Sequence, residues 1–169
     1  DGGGVTPSFG MIAAARDRLR TPLYVLIRPR AGDFVYSPAE LESMHRDVEA
    51  CTRLGCDGVV IGALDAAGSV DVAGCRSLVA VAGSMGVTFH RAFDCVADRR
   101  AALDAMVALG CERILTSGGA DSAELGAAVI AADIAHAGGR IALMPGAGLD
   151  PANIAAVARI TGAREFHAS

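Results

Sequence analysis

Residues 54–65, Leu-Gly-Cys-Asp-Gly-Val-Val-Ile-Gly-Ala-Leu-Asp, contain the change from a helix to a strand that decides the fold. Gly55 is typical of a helix C-terminus, and the apolar run at residues 59–64 is typical of a buried strand. The same step recurs at residues 109–112, Leu-Gly-Cys-Glu, and at residues 161–164, Thr-Gly-Ala-Arg. The repeated unit is therefore one helix followed by one strand.

Six short apolar runs predict the strands. They are residues 23–27, 59–64, 87–89, 113–115, 141–144 and 165–167. Ala-rich stretches with helical spacing lie around them, and six residues are predicted to cap these helices: Ser8, Ser37, Asp71, Asp98, Ser122 and Asp150. Strands that alternate with helices are typical of an α/β protein with a parallel sheet.

The spacing of the predicted strands favours a (β/α)8 barrel, the TIM barrel. Successive strands lie about 25 to 35 residues apart, which is the size of one strand–helix unit, and a closed barrel takes eight units and about 250 residues. With 169 residues, the sequence predicts about six of the eight units, in a single domain over residues 1–169 that looks incomplete at both ends. An open doubly wound sheet is the alternative, although no Gly-x-Gly-x-x-Gly pattern follows the first predicted strand.

The composition excludes several classes of protein. The 15 basic residues are all Arg, so these residues offer no lysine for a Schiff base or a phosphate-binding P-loop. A net charge of −4 without a basic run argues against nucleic-acid binding, and no apolar stretch approaches the roughly 18 residues of a membrane-spanning helix. Five cysteines without a Cys-x-x-Cys pair favour a reducing cytoplasm over a disulfide framework.

Polar residues gather where the predicted strands end, which is the rim at which barrel proteins bind their ligands. Four of them are candidates for catalysis: Arg28, Asp65, His90 and Asp94. His90 and Asp94 lie an even number of residues apart, and side chains at such a spacing share one face of a strand. We therefore predict that the imidazole lies near the carboxylate and serves as a general base or a metal ligand. The alternative is a structural histidine bonded to the backbone. We predict one shared pocket for these four residues and His167.

Eight further residues of the same rim are candidates for ligand binding: Arg30, Arg91, Thr116, Ser117, Gly146, Gly148, His167 and Ser169. Guanidinium groups bind carboxylate or phosphate ions, hydroxyl groups add hydrogen bonds, and the backbone N–H groups of a glycine loop can surround an anion. The alternatives are arginines that pair with carboxylates to close the top of the barrel, and glycines that only permit a sharp turn. A small anionic molecule is therefore one predicted partner.

The cysteines are the obvious candidates for a copper site, because Cu(I) prefers soft sulfur ligands. Four of them fall in predicted helices or at the opposite rim of the barrel: Cys51, Cys56, Cys75 and Cys111. We predict that these four are buried apolar side chains. Cys95 directly follows Asp94 at the polar rim, which makes it the metal-ligand candidate of this sequence.

Seven short motifs are spread over the whole length. They are Gly-Gly-Val-Thr-Pro-Ser at 3–8, Ile-Arg-Pro-Arg-Ala-Gly-Asp-Phe at 27–34, Gly-Ala-Leu-Asp at 62–65, Val-Thr-Phe-His-Arg-Ala-Phe-Asp at 87–94, Ile-Leu-Thr-Ser-Gly at 114–118, Met-Pro-Gly-Ala-Gly at 144–148 and Phe-His-Ala-Ser at 166–169. Together they resemble the CutC family of copper-homeostasis proteins. The resemblance is specific because several motifs of more than one residue occur in the same order.

The resemblance implies a cytoplasmic (β/α)8 barrel that is often a homo-oligomer and that binds copper. It also implies two strands before the first motif and a stretch after the last one, with the copper-binding cysteines of the family mainly in those first strands, upstream of Asp1. The rim residues themselves favour another class, a barrel enzyme of unknown reaction that acts on a small anionic metabolite. We expect a copper-homeostasis protein and keep such an enzyme as the alternative.

Overall fold

Five strands and six α-helices make up the fold of the computed structural model, which describes residues 4–168. The strands are β1 Tyr24–Leu26, β2 Gly58–Ile61, β3 Gly86–Phe89, β4 Arg113–Thr116 and β5 Ala142–Pro145. The helices are α1 Phe9–Arg18, α2 Pro38–Leu54, α3 Val72–Ala82, α4 Arg99–Leu109, α5 Ala127–Ala137 and α6 Ile154–Thr161. A 3-10 turn, Arg91–Cys95, follows β3.

The strands lie side by side in the order β1-β2-β3-β4-β5, and every neighbouring pair is parallel. Val59 of β2, for example, lies between Val25 of β1 and Val87 of β3. Helices that follow one another in the chain pack together, from α1 against α2 to α5 against α6. A doubly wound sheet reverses its strand order, whereas this sheet advances in one direction. The predicted α/β barrel arrangement is confirmed, and the doubly wound alternative is wrong.

Four of the six predicted helix caps are confirmed: Ser8, Ser37, Asp71 and Asp98. Ser37 forms a capping box at the start of α2, and Asp71 and Asp98 accept hydrogen bonds from backbone N–H groups in the first turns of α3 and α4. Gly55 and Gly110 end α2 and α4 in the left-handed conformation, with φ angles of 70° and 81°. These boundaries depend on contacts within a few residues, which is why local sequence predicts them.

Two of the predicted helix caps are wrong. Ser122 accepts a hydrogen bond from the N–H of Leu125, but α5 begins only after Gly126. Asp150 likewise binds the N–H groups of a separate turn, and Asn153 is the residue that precedes α6. In both places a short polar side chain accepts hydrogen bonds from the backbone of a turn that precedes the helix. Ser and Asp often stabilise such turns in competition with helix caps.

The predicted strand at residues 165–167 is reduced to one isolated parallel bridge between His167 and Gly146. The N–H of His167 donates to the carbonyl oxygen of Pro145 over 2.9 Å, so the chain does continue the sheet beyond β5. Phe166 is the single apolar residue of this run, which leaves little to anchor a longer ladder. Within residues 4–168 the prediction of six strands is therefore too high by one.

The core lies between the sheet and the helices. Its largest fully buried side chains include Phe89, Phe93, Ile27, Met44, Ile61 and Leu78. Four of the cysteines are buried in it, as predicted: Cys51, Cys56, Cys75 and Cys111. Among the described residues, no helix has the length and apolar character needed to cross a membrane.

Candidate functional site

Polar side chains do collect at the carboxyl ends of the strands. Arg28 follows β1, His90 follows β3, and Thr116 and Ser117 lie at the end of β4, and all four are buried. They belong to two hydrogen-bonded groups. One surrounds His90 and Arg28, and the other surrounds Asp94.

His90 is held in one orientation by its surroundings. Its backbone N–H donates to the carbonyl oxygen of Ile61 at 2.8 Å, and its ring lies so close to Gly62 that a Cβ atom there would come within 2.4 Å of it. Its Nδ1 accepts the backbone N–H of Ala92 at 3.1 Å. Because Nδ1 is an acceptor, the proton of the neutral imidazole lies on Nε2.

The Nε2–H group of His90 is buried and has no acceptor among residues 4–168. The residue is only 5% exposed, and the ring of Phe34 packs against it at a centroid distance of 4.9 Å. Burial, and then the charge of Arg28, lower the pKa of His90 to about 3, so the ring is neutral at pH 7. With Nδ1 engaged, this geometry favours a hydrogen-bond donor over the general base predicted from the sequence.

Arg28 lies beside His90 and brings the guanidinium group of this site. Its Nη1 donates to the carbonyl oxygen of Gly4 at 3.1 Å, and its Nη2 donates to that of Gly32 at 2.8 Å. The guanidinium carbon lies 5.0 Å from the centre of the Phe34 ring, which also contacts His90. The structure therefore brings together two of the residues that the sequence predicts to share a pocket.

Asp94 lies in a dense network that joins the turn after β3 to the end of β4. Its carboxylate accepts the hydroxyl of Thr116, the hydroxyl and backbone N–H of Ser117 at 3.0 Å each, and the N–H of Gly119 at 3.1 Å. Arg91 adds an ion pair at 2.8 Å. Burial raises the pKa of Asp94, but these hydrogen bonds outweigh burial and leave it below its ordinary value. The geometry indicates a carboxylate that stays ionised and holds the loop in place.

Arg99 and Asp133, which the sequence analysis missed, complete this network. Arg99 donates through Nη2 to Asp133 at 2.6 Å and to the hydroxyl of Thr116 at 3.0 Å. Its guanidinium carbon lies 4.4 Å from the centre of the Phe93 ring. Asp133 is buried in helix α5, whose other residues are apolar except for His136. An acidic residue on such a helix needs a partner, and this was the signal that could have revealed the pair.

Asp65 and His167 lie in other surroundings. The Oδ1 of Asp65 accepts the N–H groups of Ala67 and Ser69, both at 2.9 Å, in an exposed turn. His167 is also exposed and forms the bridge to Gly146. Among the described residues, neither side chain joins the hydrogen bonds around His90 or Asp94. The pocket shared by all five predicted residues, and a catalytic role for these two, stay predictions.

Two of the predicted anion-binding arginines pair with carboxylates close in sequence. Arg30 contacts Asp33 at 2.9 Å and also binds Glu40. Arg91 contacts Asp94 and donates to the hydroxyl of Ser117 at 2.9 Å. This is the alternative that the sequence left open.

The glycine loop after β5 has steric reasons for its composition. A Cβ atom on Gly146 would lie 2.5 Å from the side chain of Leu115, and Gly148 has a φ angle of 66°. Ala147 between them has a φ angle of 83°, which is rare for a residue with a side chain. Anion binding by this loop stays a prediction, and Ser169 lies outside the described residues.

An open groove on the outer surface lies apart from this rim. It is lined by Glu42, His45, Arg46, Glu49, Arg53 and Val81. Its charges pair along α2, Arg46 with Glu42 at 2.9 Å and Arg53 with Glu49 at 3.7 Å. Exposed pairs at this spacing are typical of a solvated helix face, so the groove is not our candidate site.

The described cysteines do not fit a copper site. Residues 4–168 contain no group of three or more His, Cys, Asp and Glu side chains that could hold a metal ion. Burial raises the pKa of Cys51, Cys75 and Cys111 to about 12, so these are thiols and not the thiolates that bind metals. Cys95, the predicted ligand, is exposed on the turn after β3.

Parallel strands that advance in one direction, with polar residues at their carboxyl ends, define this chain as part of an α/β barrel. The aldolase QR15 shares this fold with a TM-score of 0.75 at 15% identity, over 94% of this chain and 73% of its own. The model of the CutC family matches residues 1–169, and the chain belongs to that family. The family predicted from the motifs is therefore confirmed.

Relatives within the family are similar over the whole chain. The CutC protein of Xanthomonas campestris pv. campestris strain B100 is 60% identical over 100% of this chain and 70% of its own length. That of Bacteroides thetaiotaomicron is 49% identical over 99% of this chain and 68% of its own length. The solved structure of CutC from Streptococcus agalactiae, described as a copper homeostasis protein, has a TM-score of 0.94 at 32% identity, over 98% of this chain and 82% of its own. The chain spans 63% to 70% of the length of its first relatives.

Proposed function

We propose that this chain carries the binding site for a small anionic metabolite, at the carboxyl-end rim of a CutC-family barrel. The observation that supports it is the buried Nε2–H of His90, which has no acceptor within residues 4–168 and lies beside Arg28. An unsatisfied buried donor costs about 1 to 3 kcal/mol, which a bound acceptor would recover. Arg28 adds the charge that attracts an anion.

The test is a titration of the full-length protein with acetate and with inorganic phosphate, followed through the imidazole nitrogen signals of His90. We expect at least one ion to shift the Nε2 signal. The Arg28→Met variant should bind that ion at least tenfold more weakly, because it loses the guanidinium group. Arg91→Met is the matched control, since Arg91 lies at the same rim but belongs to the hydrogen-bonded group around Asp94.

One further variant, which keeps the charge of Arg28, sharpens the test. Arg28→Lys keeps the charge but loses the planar fork, so we expect intermediate affinity and an intact fold. If neither ion shifts the His90 signal, or if Arg28→Met and Arg91→Met weaken binding equally, the proposal is wrong.

The second candidate function is copper homeostasis, which the family and the description of the Streptococcus agalactiae protein support. We propose that the protein serves this role in the cytoplasm without using the cysteines of this chain as copper ligands. The free state of all five cysteines supports a reducing compartment. A homo-oligomer, implied by the family resemblance, stays a prediction.

Replacing all five cysteines of this chain by Ser or Ala should leave Cu(I) binding by the full-length protein unchanged. The reason is that four of them are buried in the core. We expect a loss of stability of about 1 kcal/mol for each buried thiol. Competition with a Cu(I) chelator measures the affinity. Loss of binding in Cys95→Ser alone would instead make the turn after β3 the copper site.

A further inference from the structure

Gly62 directly follows β2, and the reason for a glycine there is the imidazole of His90. The residue is buried, and its φ angle lies outside the left-handed region that favours glycine, so the backbone gives no reason for it. A Cβ atom on Gly62 would lie 2.4 Å from Cε1, 2.5 Å from Nδ1 and 3.1 Å from Nε2 of the His90 ring. The missing side chain therefore leaves the space that this ring occupies.

The register of the sheet explains the close approach. Ile61 and Phe89 form the last pair of β2 and β3, so Gly62 and His90 come next and lie side by side. The backbone of His90 is extended, with a φ angle of −84° and a ψ angle of −169°, and its N–H donates to the carbonyl oxygen of Ile61 at 2.8 Å. The imidazole thus lies against the end of β2.

The ring has close neighbours besides Gly62. Its Nδ1 accepts the backbone N–H of Ala92 at 3.1 Å, and the ring of Phe34 packs against it at a centroid distance of 4.9 Å. Non-bonded carbon atoms attract one another best at about 3.5 to 4 Å, so a side chain in position 62 has to displace the imidazole. A displaced ring loses the bond from Ala92, and either nitrogen can then carry the proton.

We propose that Gly62 is a positioning residue of the anion site: it lets the imidazole of His90 keep its bond from Ala92, and thereby fixes the Nε2–H donor. This inference rests on the proposed function and deepens it, because it names what makes the site selective for hydrogen-bond acceptors. In the other tautomer Nε2 carries a lone pair, which repels an anion. Gly62 acts only through His90.

The test is Gly62→Ala in the full-length protein, followed through the imidazole nitrogen signals of His90 without any ion and then with acetate or inorganic phosphate. Without an ion, we expect the two nitrogen signals to move toward each other, because both tautomers become populated. Whichever of the two ions the unaltered protein binds should bind at least tenfold more weakly to the variant, because the donor is no longer fixed.

Gly58→Ala is the matched control. Gly58 lies four residues earlier on the same face of β2, and a Cβ atom there would come within 2.1 Å of the ring of Tyr24. The variant therefore creates a similar clash with an aromatic ring at the other end of the strand. We expect it to keep the His90 signals and the ion affinity of the unaltered protein.

A double variant keeps the test informative if Gly62→Ala folds poorly. In urea denaturation, Gly62→Ala should lower the midpoint less than half as much in a His90→Ala background, because the ring that it displaces is gone. The effect of Gly58→Ala should be equal in both backgrounds. Equal effects of Gly62→Ala in the two backgrounds would overturn the inference.

The outcomes separate this inference from the proposed function. If an ion binds and Gly62→Ala keeps either the nitrogen signals or the ion affinity of the unaltered protein, the anion site stands and the positioning role is overturned. If neither ion binds the unaltered protein, the proposed function is wrong. The nitrogen signals and the double variant then still decide whether Gly62 fixes the tautomer of His90.

Discussion

Asp94→Ala should lower the free energy of unfolding by about 3 to 5 kcal/mol, the loss expected when one partner of a buried ionic network is removed. The carboxylate is 7% exposed, and its removal leaves the buried N–H of Ser117 without its acceptor and Arg91 without its carboxylate partner. Urea denaturation of the folded protein measures the change.

Asp65→Ala is the matched control for this prediction. Asp65 also accepts two backbone N–H groups, but its turn is exposed and water can replace the carboxylate. We expect a loss of no more than about 1 kcal/mol. Asp94→Asn keeps the shape and loses the charge, so it should fall between the two and remain folded. Equal losses in Asp94→Ala and Asp65→Ala would show that the network contributes no more than an exposed turn.

The second large effect is a dependence of stability on pH that comes from His90. Its pKa is about 3 in the folded chain, against about 6.5 when unfolded. Between these values the unfolded state holds one proton more, so stability is fully present above pH 6.5 and is lost as the pH falls. The contribution of one proton is about 1.4 kcal/mol per pH unit.

His90→Gln should therefore flatten the curve of stability against pH, most clearly between pH 5 and 6.5, where the carboxylates of the chain contribute least. Denaturant titrations at several pH values measure the slope. His167→Gln, at an exposed position, is the control and should keep the slope of the unaltered chain. An unchanged slope in His90→Gln would mean that His90 takes up a proton in the folded chain as readily as in the unfolded one.

Much of the fold follows from local sequence. The capping box at Ser37 and the left-handed Gly55 bound the same helix, and both depend on neighbours within a few residues. Short apolar runs place the strands for the same reason. The two wrong helix caps also have a local cause. Ser122 and Asp150 each accept backbone N–H groups of a turn, as they would at the start of a helix. The order of the motifs is likewise a property of the sequence, and it predicts the family without any structure.

The sequence also determines that His90 and Asp94 lie at the end of the third strand, but only the tertiary structure decides what each of them binds. Asp94 receives its donors from the end of β4, and the tautomer and burial of His90 depend on Ala92, Gly62 and Phe34. The physical reason is that periodicity gives the position and direction of a side chain along its own strand. Its hydrogen-bond partners and its exposure to water come from other elements, and they decide whether it is a structural group or a binding group.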